Sequence, residues 1–207
     1  MNINKIYQVL NDGGLVISPT DTVYGIMGDA LNENVIKKIY NVKKRDYSKP
    51  LLLLMNSYEM IKEYTEVISQ QEEKVIKEIL PGPVTIILKK NDKINNLITG
   101  NSEYVGIRIP DNEELLFIIN MLGRPVISTS ANFSDEAVIT DISMIDNELK
   151  NKIDYIEDGG EIKNVSSTII RFIDDELKII RDGKLANKIK EMFWNIGVHK
   201  HLFNFIW

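Results

Sequence analysis

Hydrophobic positions along this chain switch repeatedly between helical spacing and short runs that suit strands. Ile3, Ile6, Tyr7 and Leu10 recur at helical spacing, and Gly13-Gly14 marks the end of that helix. LVISP (15–19) predicts a short strand. Asn32 stands where an N-cap belongs, ahead of a helix whose apolar face is Val35, Ile36, Ile39 and Tyr40. PLLLLM (50–55) predicts a strand buried on both faces. Residues 57–80 carry two helical patterns, closed by Pro81-Gly82-Pro83. VTIILKK (84–90) and YVGIRIP (104–110) predict strands. Asp111 is expected to cap a helix that reaches Leu122 and ends at Gly123. PVIST (125–129), KIDYIED, SSTIIRFI and ELKIIRDG predict further strands, the last two joined by a hairpin turn at Asp174-Asp175. A final helix is expected over about 185–196. Strands alternating with helices, together with hairpin signals, predict an α/β (α+β) fold: a twisted mixed sheet with helices packed on it. No repeat or linker divides the pattern.

Composition narrows the class. A chain of 207 residues suits one well-buried domain. The longest apolar runs, Leu51–Met55 among them, fall far short of the ~20 residues of a membrane span. The N-terminal stretch has no apolar signal core. With no cysteine, disulfides, thiolate metal sites and a cysteine nucleophile are excluded. These features predict a cytoplasmic protein with no membrane association. A formal net charge of −5 argues against broad, sequence-independent nucleic-acid binding.

One segment runs against that acidic balance. Lys43, Lys44, Arg45 and Lys49 cluster in KKRDYSKP, between a helical pattern and an apolar strand. Such loops carry chemistry in α/β proteins, and the cluster reads as a polyanion site for a nucleotide triphosphate. Cations that complement a helix C-terminus are the alternative. Arginine is scarce: Arg45, Arg108, Arg124, Arg171 and Arg181 are all of it. A lysine-rich chain keeps arginine where a planar fork matters. Arg108 lies inside an apolar strand and Arg181 ends one, so both are candidates to grip a carboxylate or phosphate. For Arg124 and Arg171 a structural ion pair is expected.

Strand ends are rich in small hydroxyl and amide residues: Thr20, Asp21 and Thr22; Ser128 to Asn132; Ser166, Ser167 and Thr168. Each alone is ordinary turn chemistry. Together with the cations they suggest one hydroxyl-lined cleft. The two histidines, His199 and His201, lie in the C-terminal tail, which argues against a Ser–His–Asp triad and a histidine metal site. Neither a Walker A pattern nor G-x-G-x-x-G occurs. An enzyme of this kind would work on nucleotides by positioning and charge neutralisation.

PTDTVYG, KKRDYSKPLLLLM, LPGPVTIILKK, VGIRIP, STSAN, SSTII and IIRDG follow one another in order over roughly residues 5–185. In that order the chain resembles the YrdC-like family, in its short single-domain form. The resemblance implies a YrdC-like catalytic domain over 1–190, with a helix end and aromatic tail over 191–207. It implies a concave cleft and a nucleotidyltransferase that makes threonylcarbamoyl-AMP from L-threonine, bicarbonate or CO2 and ATP, releasing pyrophosphate. That product serves N6-threonylcarbamoylation of adenosine 37 in tRNAs that read ANN codons. Implied partners are those substrates and the downstream tRNA threonylcarbamoyl-transferase complex; direct tRNA contact is left open. ATP is a substrate, and Mg2+ is expected to arrive with it.

Carried over by position, Lys43 and Arg45 match the family's K-x-R motif and the catalytic cations, with Lys49 a further nucleotide contact. Ser130, Asn132 and Arg181 match nucleotide-side residues. Thr22, Arg108, Ser128 and Ser167 match the threonine pocket, with Arg108 on the carboxylate. Lys44 is expected to be solvated. The chain departs from the family at Asp21 for glutamate, Leu54 for histidine and Thr129 for proline, and Val138 and Thr140 are loosely matched equivalents. Those departures keep open a YciO-like paralogue with another substrate. An RNA-binding module of the same fold is the other alternative.

Overall fold

The computed structural model describes residues 1–195 apart from 135, 164 and 175. The tail from Gly197 to Trp207, with His199 and His201, lies outside the described residues, as does Asp175 of the expected hairpin turn.

Helix α1 (Ile3–Asn11) leads into β1 (Val16–Ser18) and β2 (Gly25–Asp29). Helix α2 (Glu33–Lys43) precedes β3 (Leu52–Leu54), and α3 (Tyr58–Tyr64) and α4 (Gln70–Ile79) precede β4 (Val84–Lys89). Next come α5 (Asn96–Thr99), β5 (Tyr104–Arg108), α6 (Glu113–Leu122) and β6 (Val126–Ser130). A 3₁₀ turn (Ile142–Met144), α7 (Asn147–Lys150) and β7 (Tyr155–Ile156) lead to β8 (Thr168–Ile173), β9 (Glu176–Arg181) and α8 (Ala186–Asn195).

Local chemistry explains several boundaries. Asn32 caps α2 as expected, its Oδ1 accepting from the N–H groups of Asn34 and Val35. The cap of α6 is Asn112, one residue past the expected Asp111, with Oδ1 accepting from Leu115 N at 3.0 Å. Helix α2 ends where Lys44 turns left-handed, at φ 51°. β2 was not expected: the run GIMGD has two glycines and a terminal acid, which weaken a strand pattern. The strand expected over 50–55 is confined to three residues, and KIDYIED contributes only two.

The strands form one sheet in the order β7-β1-β2-β6-β3-β5-β4-β8-β9. It is mixed: β1/β7, β3/β5 and β4/β8 pair parallel, and the other neighbours antiparallel. Register then sorts side chains, because partners in register share a face and successive residues alternate. Ile26, Leu53, Ile86, Ile107, Ile127 and Ile170 are fully buried and share one apolar cluster with Ile6, Leu10, Ile36, Ile39, Ile61 and Ile118 from the helices. The opposite face presents Gly106 and Arg108 from β5, Thr85 and Ile87 from β4, and Ser128 and Ser130 from β6. That face bears the cavity described below. Leu52 lies on it, half-buried, so β3 is not buried on both faces as expected.

Packing on the core face is tight at Gly28. A Cβ there would come within 2.5 Å of Val35 Cγ1 and 3.1 Å of Ile39 Cδ1, both on α2. The glycine lets that helix settle on β2. Gly28→Ala should therefore destabilise the protein by about 1–3 kcal/mol through overpacking. Urea denaturation measures this, with the slope of the transition unchanged.

Candidate functional site

A cavity of about 490 Å3 opens on the sheet face opposite the apolar core. Its floor is made by β2, β3, β4, β5, β6 and β8, and its walls by the loops leaving β1 and α2, the segment entering β8 and the end of β9. Two glycines keep the floor low. A Cβ on Gly25 would meet Ser128 Oγ at 2.7 Å, and one on Gly106 would meet Thr85 Cγ2 at 3.2 Å.

Arg108 is the most buried cation on the floor, at 2% exposure. Its Nη1 donates to Thr22 Oγ1 at 2.8 Å, and its Nη2 lies 3.5 Å from Asp21 Oδ1. Thr20 continues the chain. Its hydroxyl donates to Val23 O at 2.7 Å, so the 2.9 Å contact between Thr20 and Thr22 must run from Thr22 to Thr20. The segment after β1 is thus a hydroxyl relay holding one face of Arg108. Desolvation depresses the Arg108 pKa; Asp21 opposes this and Arg181 reinforces it. Its Nε has no hydrogen-bond partner among the described residues. The guanidinium therefore keeps unused donor capacity beside the cavity.

Arg181 closes the wall at the end of β9. Its Nη2 donates to Ser167 O at 2.9 Å and to Ser167 Oγ at 3.2 Å. Burial lowers its pKa. The turn after it passes so close to Ser166–Thr168 that a Cβ on Gly183 would overlap that backbone. Arg45 forms the opposite wall, where Nη2 donates to Pro50 O at 2.9 Å and Nε to Lys49 O at 3.2 Å.

Seven expected site residues line this one cavity: Thr22, Arg45, Arg108, Ser128, Ser130, Ser167 and Arg181. Lys43, Lys49 and Asn132 do not. Lys43 faces inward at 1% exposure, and its ammonium donates to the carbonyls of Ser130 and Asn132 and to Asn132 Oδ1. Ser134 N donates back to Lys43 O at 3.1 Å, so α2 and the STSAN turn are tied in both directions. Burial pulls the Lys43 pKa down to about 7; Arg45 adds to this and Glu136 opposes it. Asn132 completes the knot by donating from Nδ2 to Glu136 O at 2.6 Å. Lys44 is exposed, as expected, and pairs with Glu148 at 2.7 Å.

The two remaining arginines part company. Arg124 is ion-paired with Asp29 at 2.8 Å, as expected. Arg171 has no ion pair with an acid among the described residues: its guanidinium stacks 3.7 Å from the Tyr104 ring centroid, and both residues line the cavity. Thr85 and Gly106 also line it and were not singled out in the sequence. The signal was there, since Thr85 interrupts an apolar strand and Gly106 sits two residues before Arg108. Leu54 is fully buried and in register with Arg108, so an apolar side chain stands beside that guanidinium.

The buried Lys43 gives a clear test. Lys43→Met should orphan the carbonyls of Ser130 and Asn132, at about 1–3 kcal/mol for each acceptor. Lys44→Met, removing an exposed pair, should change stability by no more than ~1 kcal/mol. Equilibrium denaturation of the two variants should separate them cleanly.

Comparison with known proteins gives the cavity a context. Residues 8–183 match the family model Sua5_yciO_yrdC, described as "Telomere recombination". A protein of Methanocaldococcus jannaschii is 41% identical over 177 residues, covering 85% of this chain and 82% of the relative. A threonylcarbamoyl-AMP synthase of Aliivibrio fischeri is 31% identical over 192 residues, covering 92% of this chain and 98% of the relative. Among solved structures, Pyrococcus abyssi Sua5 complexed with L-threonine superposes with a TM-score of 0.87 at 32% identity. That match covers 96% of this chain and 58% of the Pyrococcus chain, so the chain spans little more than half of that relative.

Proposed function

The chain belongs to the Sua5/YciO/YrdC family, and from that premise we propose that it is a threonylcarbamoyl-AMP synthase. It converts L-threonine, bicarbonate or CO2 and ATP into threonylcarbamoyl-AMP and pyrophosphate. The observation that carries this reading is the convergence of Arg45, Arg108 and Arg181 with serine and threonine hydroxyls on one cavity. In an acidic protein with five arginines, four guanidiniums around one space, these three and Arg171, suit substrates rich in carboxylate and phosphate oxygens.

The chemistry needs no covalent nucleophile. The threonine amine takes up CO2 to form a carbamate, and a carbamate oxygen attacks the α-phosphorus of ATP as pyrophosphate leaves. Charge develops on phosphoryl oxygens, so fixed cations and N–H donors are the groups that lower the barrier. Arg108 holds the amino-acid carboxylate, oriented from behind by Thr22 and Asp21. Ser128 and Ser167 border the same pocket. Arg45, Ser130 and Arg181 face the nucleotide, which enters as its magnesium complex. Lys43 and Asn132 act one layer back: they fix the turn that carries Ser130 rather than meet the phosphates. Lys49 supplies the carbonyl that anchors the Arg45 side chain. The product serves threonylcarbamoylation of adenosine 37 in tRNAs that read ANN codons, a reaction for a downstream transferase complex.

Pyrophosphate release dependent on threonine and bicarbonate tests the assignment. Arg45→Ala should lower kcat/KM for ATP by about ten- to a hundredfold, the equivalent of one lost charge-assisted contact. Arg108→Lys keeps a charge beside Asp21 but loses the fork, so it should raise KM for threonine more than KM for ATP. Unchanged pyrophosphate release in Arg45→Ala would remove the triphosphate assignment.

A further inference from the structure

Thr85 has no part in the reading above, yet it stands on the cavity floor directly across from Arg108. Ile86 pairs with Ile107 in the antiparallel β4/β5 ladder, which sets Thr85 opposite Arg108 on the same face. Thr85 is 4% exposed and lines the cavity. Its Oγ1 lies 2.9 Å from Ser167 Oγ, and Arg181 Nη2 donates to that same serine oxygen at 3.2 Å.

Counting protons shows what this pair still needs. Two hydroxyls bring two protons, and Arg181 brings its own. The contact between the hydroxyls uses one. If Ser167 donates to Thr85, the Thr85 proton is left over. If Thr85 donates to Ser167, which then accepts twice, the Ser167 proton is left over. In either arrangement one buried O–H lacks an acceptor among the described residues. A buried donor of that kind is costly unless something in the cavity accepts from it.

The charged oxygens of the substrates have better partners. Carboxylate and phosphate oxygens are drawn to Arg108, Arg181 and Arg45, whose donors are charged. The remaining neutral O–H suits a neutral acceptor close to the amino-acid carboxylate. Gly106 beside it leaves room, since a Cβ there would press on Thr85 Cγ2 at 3.2 Å.

Resting on the proposed synthase reading, we infer that Thr85, paired with Ser167, binds the β-hydroxyl of L-threonine and selects a hydroxyl amino acid over its apolar isostere. A site built to hydrogen-bond a substrate hydroxyl rejects an analogue lacking it, because its own donor is then stranded.

The test compares kcat/KM for L-threonine, L-serine and L-valine by pyrophosphate release in the wild type, Thr85→Val and Thr85→Ser. The wild type should prefer threonine to valine by on the order of a hundredfold or more. Thr85→Val should cut that preference at least about tenfold through KM for threonine, with KM for ATP unchanged, whereas Thr85→Ser should hold it within about threefold. The unchanged ATP value reports an intact fold; should Thr85→Val fail to fold, Thr85→Ala carries the same expectation. A threonine-to-valine ratio unaltered in Thr85→Val, or equally reduced in Thr85→Ser, overturns the inference while leaving the synthase reading standing. A wild type that forms no product from threonine overturns that reading and this inference with it.

Discussion

Alternation of side chains along β3, β4, β5, β6 and β8 decides which half of each strand holds the protein together and which half meets substrate. Ile86, Ile107, Ile127 and Ile170 take the core side, and Thr85, Arg108, Ser128 and Arg171 the other. A slip of one residue in any of these pairings would bury the polar set and expose the apolar one. Stability and chemistry therefore impose the same register. The parallel pairing of β3 with β5, and the antiparallel pairing of β4 with β5, place Leu54 and Thr85 on either side of Arg108. Both neighbours of Arg108 on this face are thus set by strand pairing, not by a loop.

A second layer of polar contacts holds the walls. The Lys43 ammonium binds the carbonyls of Ser130 and Asn132, and the returning Ser134 N–H binds the Lys43 carbonyl. The end of α2 and the end of β6 are thus tied to each other, and through them Arg45 and Ser130. On the other side, Thr20, Thr22 and Asp21 steady Arg108, while Ser167 steadies Arg181. Arg45, Arg108 and Arg181 are each held by their own oxygen acceptors, which limits the reorganisation needed when an anion arrives. The low dielectric of the floor has a cost: burial depresses the pKa of both Arg108 and Arg181. An incoming carboxylate would relieve it.

Much of this was legible in the chain. Asn32 capped α2, strands appeared where β-branched runs stood, and the ordered motifs marked both the fold and the family. Residues governed by local rules were read well because local rules decided them. The misses share a different cause. GIMGD, with two glycines in five residues, gave no strand signal, but Gly25 and Gly28 serve opposite faces: one clears space for Ser128, the other for α2. Lys43 looked like its neighbours in a basic run, and only the α2-to-β6 contact shows that it points inward. Arg171 was expected beside an acid; the β4/β5/β8 ladders put Tyr104 beneath it instead. Thr85 lies within the block LPGPVTIILKK, but that block gave it no role of its own. Its meaning comes from a partner 82 residues away.

The central claim is that one sheet face brings an amino-acid carboxylate and a triphosphate together so that carbon from bicarbonate joins threonine to AMP. The most direct measurement incubates the protein with ATP, L-threonine and bicarbonate bearing carbon-13, then identifies the nucleotide product by mass. The expected result is an adduct of threonine, one carbonyl carbon and AMP, carrying the label, with one pyrophosphate released per adduct. An adduct without the label, or ATP turnover that ignores threonine, would contradict it.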